Sequence, residues 1–289
     1  MDGAPSFDLQ CHSRHSDGEL DPAEVVGLAA GAGVRTLALT DHDTVDGVAE
    51  ALLAGEAHAL RVVPAVEISA VHENREDLHV LGYGVDHEDA ALGLALADFR
   101  EDRVRRAVAM TEALREAGLT IDDDVLAARR RAGLPVGRPH LAGAVFSHPA
   151  NAERLAAEGL GDISAVLVAY LLPGRPGYRP RTMPTIPEAI DCIHGAGGVA
   201  VWAHPFWDVE QEGEVVALLR RFREWGLDGV EAFYVTHSEQ QTRVAWEEAA
   251  ALGLLRTGSS DFHGPGHRLF SRWRAFELYG LQPELGPIG

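Results

Sequence analysis

The sequence predicts an α/β fold, either a parallel barrel or a doubly wound sheet, with a mostly helical insertion between its fourth and fifth strands. Three observations lead there. Short apolar runs bounded by turn signals recur along the chain, helix-like stretches fill most gaps between them, and one long stretch breaks the rhythm. The runs are 7–12, 36–40, 62–67, 78–83, 198–203, 229–235 and 254–258; the helical patterns are 22–32, 45–53, 214–225 and 239–252. Strands that alternate with helices are expected to be parallel and joined by right-handed crossovers. Asp21-Pro22 resembles an N-cap followed by proline at the first helical position, and Gly31 and Gly33 fit the helix end. Residues 98–185 form the insertion, dividing a barrel domain of 1–97 and 186–289. It opens with the amphipathic Arg/Glu-rich stretch 98–117, continues with 122–131 and 149–157, and ends in an arginine- and proline-rich loop at 173–187.

Composition narrows the function. The 289 residues are 46% hydrophobic and 24% charged, which is globular rather than disordered. All 25 basic residues are arginine, so chemistry that needs a lysine amine is excluded: a Walker P-loop, a pyridoxal Schiff base, a protein kinase. The formal charge of −19 argues against stable DNA binding, because such affinity is built on phosphate neutralisation. A small anionic ligand held by local arginines or metal ions stays compatible with it. Cys11 and Cys192 cannot form a disulfide framework, residues 1–6 show no leader pattern, and no run is long and apolar enough to span a membrane. A cytoplasmic protein is expected.

The chemistry is positional. Nearly every apolar run ends in, or just beyond, an imidazole or a carboxylate. The first reaches His12, with Asp17 beyond it; the second runs into Asp41-His42-Asp43; the third ends at Glu67, and the fourth contains His79. The fifth leads to His204, the sixth to His237, and the seventh to Asp261 and His263. In parallel α/β barrels the strand ends open onto one face, where sites are built, so these groups are expected to converge. Imidazole and carboxylate without thiolate suit Zn, Mn or Fe, and a shared carboxylate such as Glu67 or Asp261 can bridge two ions. His58, His72, His87, His148 and His194 fall in helical or turn contexts and are read as structural. The acid runs 73–77 and 122–124 are read as solvated faces.

These residues resemble the PHP (polymerase and histidinol phosphatase) superfamily of metal-dependent phosphoesterases. The motifs are Asp8-Leu9-Gln10-Cys11-His12-Ser13 with Ser16-Asp17-Gly18, Thr40-Asp41-His42-Asp43-Thr44, Glu67-Ile68-Ser69, His79-Val80-Leu81-Gly82-Tyr83, Ala203-His204-Pro205 and Gly258-Ser259-Ser260-Asp261-Phe262-His263-Gly264. The resemblance implies a distorted (β/α)7 TIM-like barrel and two to three divalent metal ions (Mn, Zn or Fe). A first metal site would use Gln10, His12, Glu67 and Asp261, a second Glu67, His79 and His204, and a third Asp17, His42 and His263. The subgroup it is most similar to hydrolyses phosphate from nucleotides and nucleoside 3′,5′-bisphosphates, and some members trim RNA.

Within the insertion, Gly137-Arg138-Pro139-His140 resembles the subgroup's phosphate-facing motif, and Arg175 its substrate loop. Arg138, His140 and Arg175 are therefore expected to bind substrate, since a guanidinium fork matches phosphate oxygens. The expected reaction is hydrolysis of a phosphate monoester by metal-bound hydroxide, with Arg138 stabilising charge and His204 or His237 protonating the leaving oxygen. A small phosphorylated substrate is the expected partner, with short RNA a further candidate. One departure stands out: Gln10 replaces the first histidine of the family's His-x-His opening, and an amide oxygen is a weaker ligand than imidazole. Two alternatives follow, a catalytically impaired protein that only binds phosphorylated ligands and a metal-dependent amidohydrolase.

Overall fold

The computed structural model describes residues 5–131 and 136–289. Residues 1–4, part of the stretch read above for a leader, lie outside that range, as do 132–135 of the insertion. Two compact units divide the chain: Met1–Ala97 with Met183–Gly289, and Asp98–Thr182. Among the described residues no helix is long and apolar enough to cross a membrane.

The first unit is a seven-stranded sheet in the order β1 to β7. Its strands are β1 (Phe7–Asp8), β2 (Thr36–Leu39), β3 (Arg61–His72), β4 (Arg75–Tyr83), β5 (Val199–Trp202), β6 (Gly229–Tyr234) and β7 (Leu255–Ser259). The edges nearly close into a barrel. Beyond β1 the Leu9 N–H donates to the Gly258 carbonyl at 3.2 Å and the His12 N–H to the Phe262 carbonyl at 2.8 Å. The sheet is therefore the distorted TIM-like barrel the sequence predicts.

Strand direction departs from expectation at one place. The β1–β2–β3 and β5–β6–β7 pairs are parallel, but β4 runs antiparallel to both β3 and β5. The cause is the connection. Only Glu73 and Asn74 separate β3 from β4, with Glu73 in the left-handed region at φ 53°, and so short a link makes a hairpin, never a crossover. The acid run 73–77 is thus part of this hairpin, and Glu76 is buried rather than solvated. Glu67 accordingly lies inside β3, not at its end.

Helices α1 (Pro22–Gly31) and α2 (Val48–His58) follow β1 and β2. The N-cap at Asp21 is as expected, its N–H donating to Glu24 Oε2 at 3.0 Å. Helix α3 (Ala90–Glu116) begins in this unit and continues into the second, which also holds α4 (Asp123–Arg131), α5 (Arg138–Ser147), α6 (Ala152–Ala157) and α7 (Ile163–Tyr170). That second unit has its own core of Met110, Leu114, Leu126, Leu141, Val145, Leu155 and Val166. Asn151 ties it together, donating to the Thr120 and Val145 carbonyls.

The chain returns to the barrel through α8 (Ile186–Gly195), where the sequence suggested a loop up to 187. Thr185 and Glu188 form a capping box, and Ile186, Ala189, Ile190 and Ile193 face the core at helical spacing. Three further helices complete the unit: α9 (Pro205–Asp208), α10 (Glu212–Glu224) and α11 (Glu239–Leu252).

Candidate metal centre

The motif side chains meet around Glu67, which is fully buried. Its Oε2 lies 3.1 Å from His12 Nε2 and 3.7 Å from His42 Nδ1, and its Oε1 2.7 Å from His79 Nδ1 and 3.3 Å from His204 Nε2. Asp261 Oδ1 sits 3.1 Å from His12 Nε2 on the other side. Asp17 joins the rest: its oxygens lie 3.5 Å from His12 Nδ1, 3.6 Å from His42 Nε2 and 3.5 Å from His263 Nε2. The imidazoles of His42 and His263 flank that of His12, ring centres 4.6 and 4.3 Å away. The barrel thus brings Gln10, His12, Asp17, His42, Glu67, His79, His204, Asp261 and His263 into one cluster.

Three groups within it have ligand atoms close enough to share an ion: His12, Asp17, His42 and His263; His42, Glu67 and His79; His12, Glu67 and Asp261. The grouping differs from the expected one in that His12 and His42 each border two groups, and His204, expected beside Glu67 and His79, falls in none. The donor set fits divalent metal on a direct observation. His12 Nε2, His42 Nδ1 and Asp261 Oδ1 are buried and face neighbouring ligand atoms, yet none makes a hydrogen bond. A cation satisfies such converging lone pairs; a second hydrogen bond does not.

The electrostatics agree. Burial works to raise Glu67, but His42 and His79 beside it, with His12 and His204 close by, hold it well below the usual carboxylate range. Burial pulls His42 down to about 4 against the attraction of Glu67 and Asp17. An ionised carboxylate and a neutral imidazole are the forms that bind metal. For His12 burial is outweighed by Asp261 and Glu67, which keep it well above its ordinary value.

Local backbone makes this convergence possible. His204 and Asp261 sit in the left-handed region, at φ 27° and 54°, a strained conformation for residues with a Cβ and one that clusters at functional sites. Gly18 is required where it stands, since a Cβ would lie 2.3 Å from the His12 carbonyl oxygen.

Behind the ligands lies a layer of buried acids and hydroxyls that sequence reasoning did not assign. Asp41 accepts from the Ser13 N–H and hydroxyl and from the Ser16 hydroxyl, folding the turn that carries Asp17. Asp8 accepts from the Ser260 and Arg274 N–H groups at 2.8 Å. Tyr234 donates to Asp261 Oδ2 at 2.7 Å. Glu231 accepts from the His204 N–H at 2.9 Å and pairs with Ser259, and burial pushes its carboxyl well above the usual range. Gln10 turns its amide nitrogen to Glu67 Oε2 at 2.9 Å, while its oxygen accepts from Ser259 at 3.3 Å.

The other candidate residues lie elsewhere. His237 is buried two ring contacts from His204, through Tyr234, and its Nδ1 is 3.2 Å from the Ala232 carbonyl. Burial lowers it to about 4, so its ring is neutral. Arg138, His140 and Arg175 belong to the second unit. Arg138 opens α5, His140 Nδ1 accepts from the Gly137 N–H at 3.1 Å, and Arg175 is exposed in the loop after α7.

A converging set of imidazoles and carboxylates at the mouth of a small α/β barrel defines a metal-dependent hydrolase. The PHP domain model matches residues 8–153. A 3′,5′-nucleoside bisphosphate phosphatase of Chromobacterium violaceum is 35% identical over 263 residues, covering 90% of this chain and 88% of its own. A 5′-3′ exoribonuclease of Haemophilus influenzae is 32% identical, with 90% of each chain covered. Among solved structures, an amidohydrolase from Chromobacterium violaceum with bound sulfate and no metal superposes with a TM-score of 0.74 at 32% identity, covering 98% of this chain and 93% of that one. The chain belongs to the PHP domain family of metal-dependent phosphoesterases.

Proposed function

We propose that this protein hydrolyses a phosphate monoester of a nucleotide or nucleoside bisphosphate, using two to three divalent ions of Mn, Zn or Fe. The observation that carries the reading is the cluster around Glu67, in which buried atoms of His12, His42 and Asp261 face neighbouring ligand atoms without hydrogen bonds. His12, Asp17, His42, Glu67, His79, His204, Asp261 and His263 would hold the ions, with Gln10 at the edge of the first group. When bound, such ions supply Lewis acidity that activates water and neutralises phosphoryl oxygens.

The chain's own groups do the rest. Glu67 and Asp261, buried among the imidazoles, would be the carboxylates shared between ions. Arg138, His140 and Arg175 would hold the phosphoryl charge, a guanidinium fork being suited to two oxygens at once. His204 would deliver a proton to the leaving oxygen, and His237, buried and neutral, would not. The similarity to a nucleoside bisphosphate phosphatase supports the substrate class. Similarity to an exoribonuclease supports short RNA as a second substrate, and a chain of net charge −19 suits a short strand better than a long one.

Purified protein loaded in turn with Mn, Zn and Fe should release phosphate from nucleoside 3′,5′-bisphosphates and leave amides and deaminase substrates intact. His42→Ala and Asp261→Asn should each lower kcat by about 100-fold or more, since each removes a ligand from a centre on which the barrier depends. Activity that survives in both variants, or turnover confined to C–N bonds, would overturn the assignment.

A further inference from the structure

Trp207 stands at the edge of the ligand cluster and takes no part in it. It lies on α9, three residues after His204, and its N–H donates to the His204 carbonyl at 2.8 Å. Its neighbour Phe206 points inward and is buried, whereas Trp207 is 51% exposed. On its inner side the indole meets Phe270, ring centres 5.6 Å apart. Phe270 is buried, lies 5.4 Å from the His263 ring and stacks on His267. Leu269, on the same loop, is 46% exposed. An aromatic shelf therefore runs outward from two candidate metal ligands, His204 and His263, on the loops that follow β5 and β7. A single exposed tryptophan is unremarkable on a protein surface. This one is different in its placement, because it continues a packed row of rings that starts where the phosphate ester would be held.

We propose that Trp207 is a stacking platform for the nucleobase of the substrate, so that α9 and the 264–270 loop form a base subsite beside the phosphate-handling centre. This rests on the function proposed above. Every base offers a flat π face, and an indole is the largest side-chain surface on which to lay it. Phe270 packs against the indole, tilted 57° to it, and about half of Trp207 is left exposed for a ligand. Such a platform selects for the presence of a base over its identity, so a range of nucleotides would be accepted and a base-free sugar phosphate would be disfavoured.

The test compares wild type, Trp207→Phe and Trp207→Ala on adenosine 3′,5′-bisphosphate and on ribose 5-phosphate. In Trp207→Ala the preference for the nucleotide, as the ratio of the two kcat/KM values, should fall about tenfold, mainly through KM, within what one base–aromatic stack contributes. Trp207→Phe should keep most of that preference. Adenosine 3′,5′-bisphosphate should also quench tryptophan emission in wild type, and this quenching should shrink in Trp207→Phe. An unchanged ratio, or an equal loss on both compounds with quenching unaltered, would show that Trp207 merely supports His204 and would overturn the platform. A wild-type protein that hydrolyses neither compound with any metal would sink the proposed function instead, and the quenching comparison would still decide whether a base lies on Trp207.

Discussion

Gln10 occupies the position of a family histidine, and counting protons shows what it does there. Ser259 carries one hydroxyl proton and lies 2.5 Å from Glu231 Oε1 and 3.3 Å from Gln10 Oε1. That proton goes to the nearer Glu231 oxygen or to the Gln10 oxygen, and in either case the Gln10 nitrogen is left to donate to Glu67 at the centre of the cluster. An amide donor thus faces Glu67 at the position where the family has an imidazole. Gln10→His would replace that donor with an imidazole lone pair, and the metal retained after dialysis should rise by about one ion per chain. Elemental analysis against protein concentration reads this directly. A drop in retained metal in the variant would mean that the amide oxygen already serves as a ligand.

Elements show why some of this was legible in the sequence and some was not. The ligand residues were readable because a β/α repeat places one polar group at each barrel mouth, so His12, His42, His204 and His263 stand out against apolar runs. The direction of β4 was not. An apolar run looks the same in either direction, and the turn at Glu73-Asn74 was hidden among charges that resemble a solvated face. Glu231 was equally hidden, a lone acid in an apolar strand whose partners, His204 and Ser259, lie on neighbouring strand ends. A buried acid in such a run was the available signal. Helix α8 carried a sharper one, the Thr185-x-x-Glu188 box with Pro187 inside the first turn, masked by the proline-rich stretch before it. That cap has a measurable weight. Thr185→Ala should lower unfolding stability by about 1 kcal/mol, seen as a lower urea midpoint at unchanged slope. A variant as stable as wild type would mean that packing of Ile186, Ile190 and Ile193 alone holds the helix.

At the scale of the whole molecule, the candidate centre is also a fastening of the barrel. Its candidate ligands in the three groups come from β3 and β4 and from the segments that follow β1, β2 and β7, so an ion bound there would tie together strands distant in sequence. In the absence of metal the imidazoles of His12, His42 and His263 serve as counter-charge, and Asp17, Glu67 and Asp261 are held below the usual carboxylate range despite their burial. Ions that bind the folded barrel and not the unfolded chain must therefore raise the melting temperature. At a free concentration near 100 times the dissociation constant the gain is about 3 kcal/mol, or about 5–10 °C for a chain of this size. Differential scanning of metal-stripped protein with and without added Mn or Zn measures it, and a chelator should reverse it. Asp261→Asn separates this from general ionic effects, because it removes a ligand and a negative charge together. The variant should melt lower than wild type without metal, because Tyr234 and His12 lose their carboxylate partner, and should gain little when metal is added. Equal gains in both proteins would mean that the ions act elsewhere than between His12, Glu67 and Asp261.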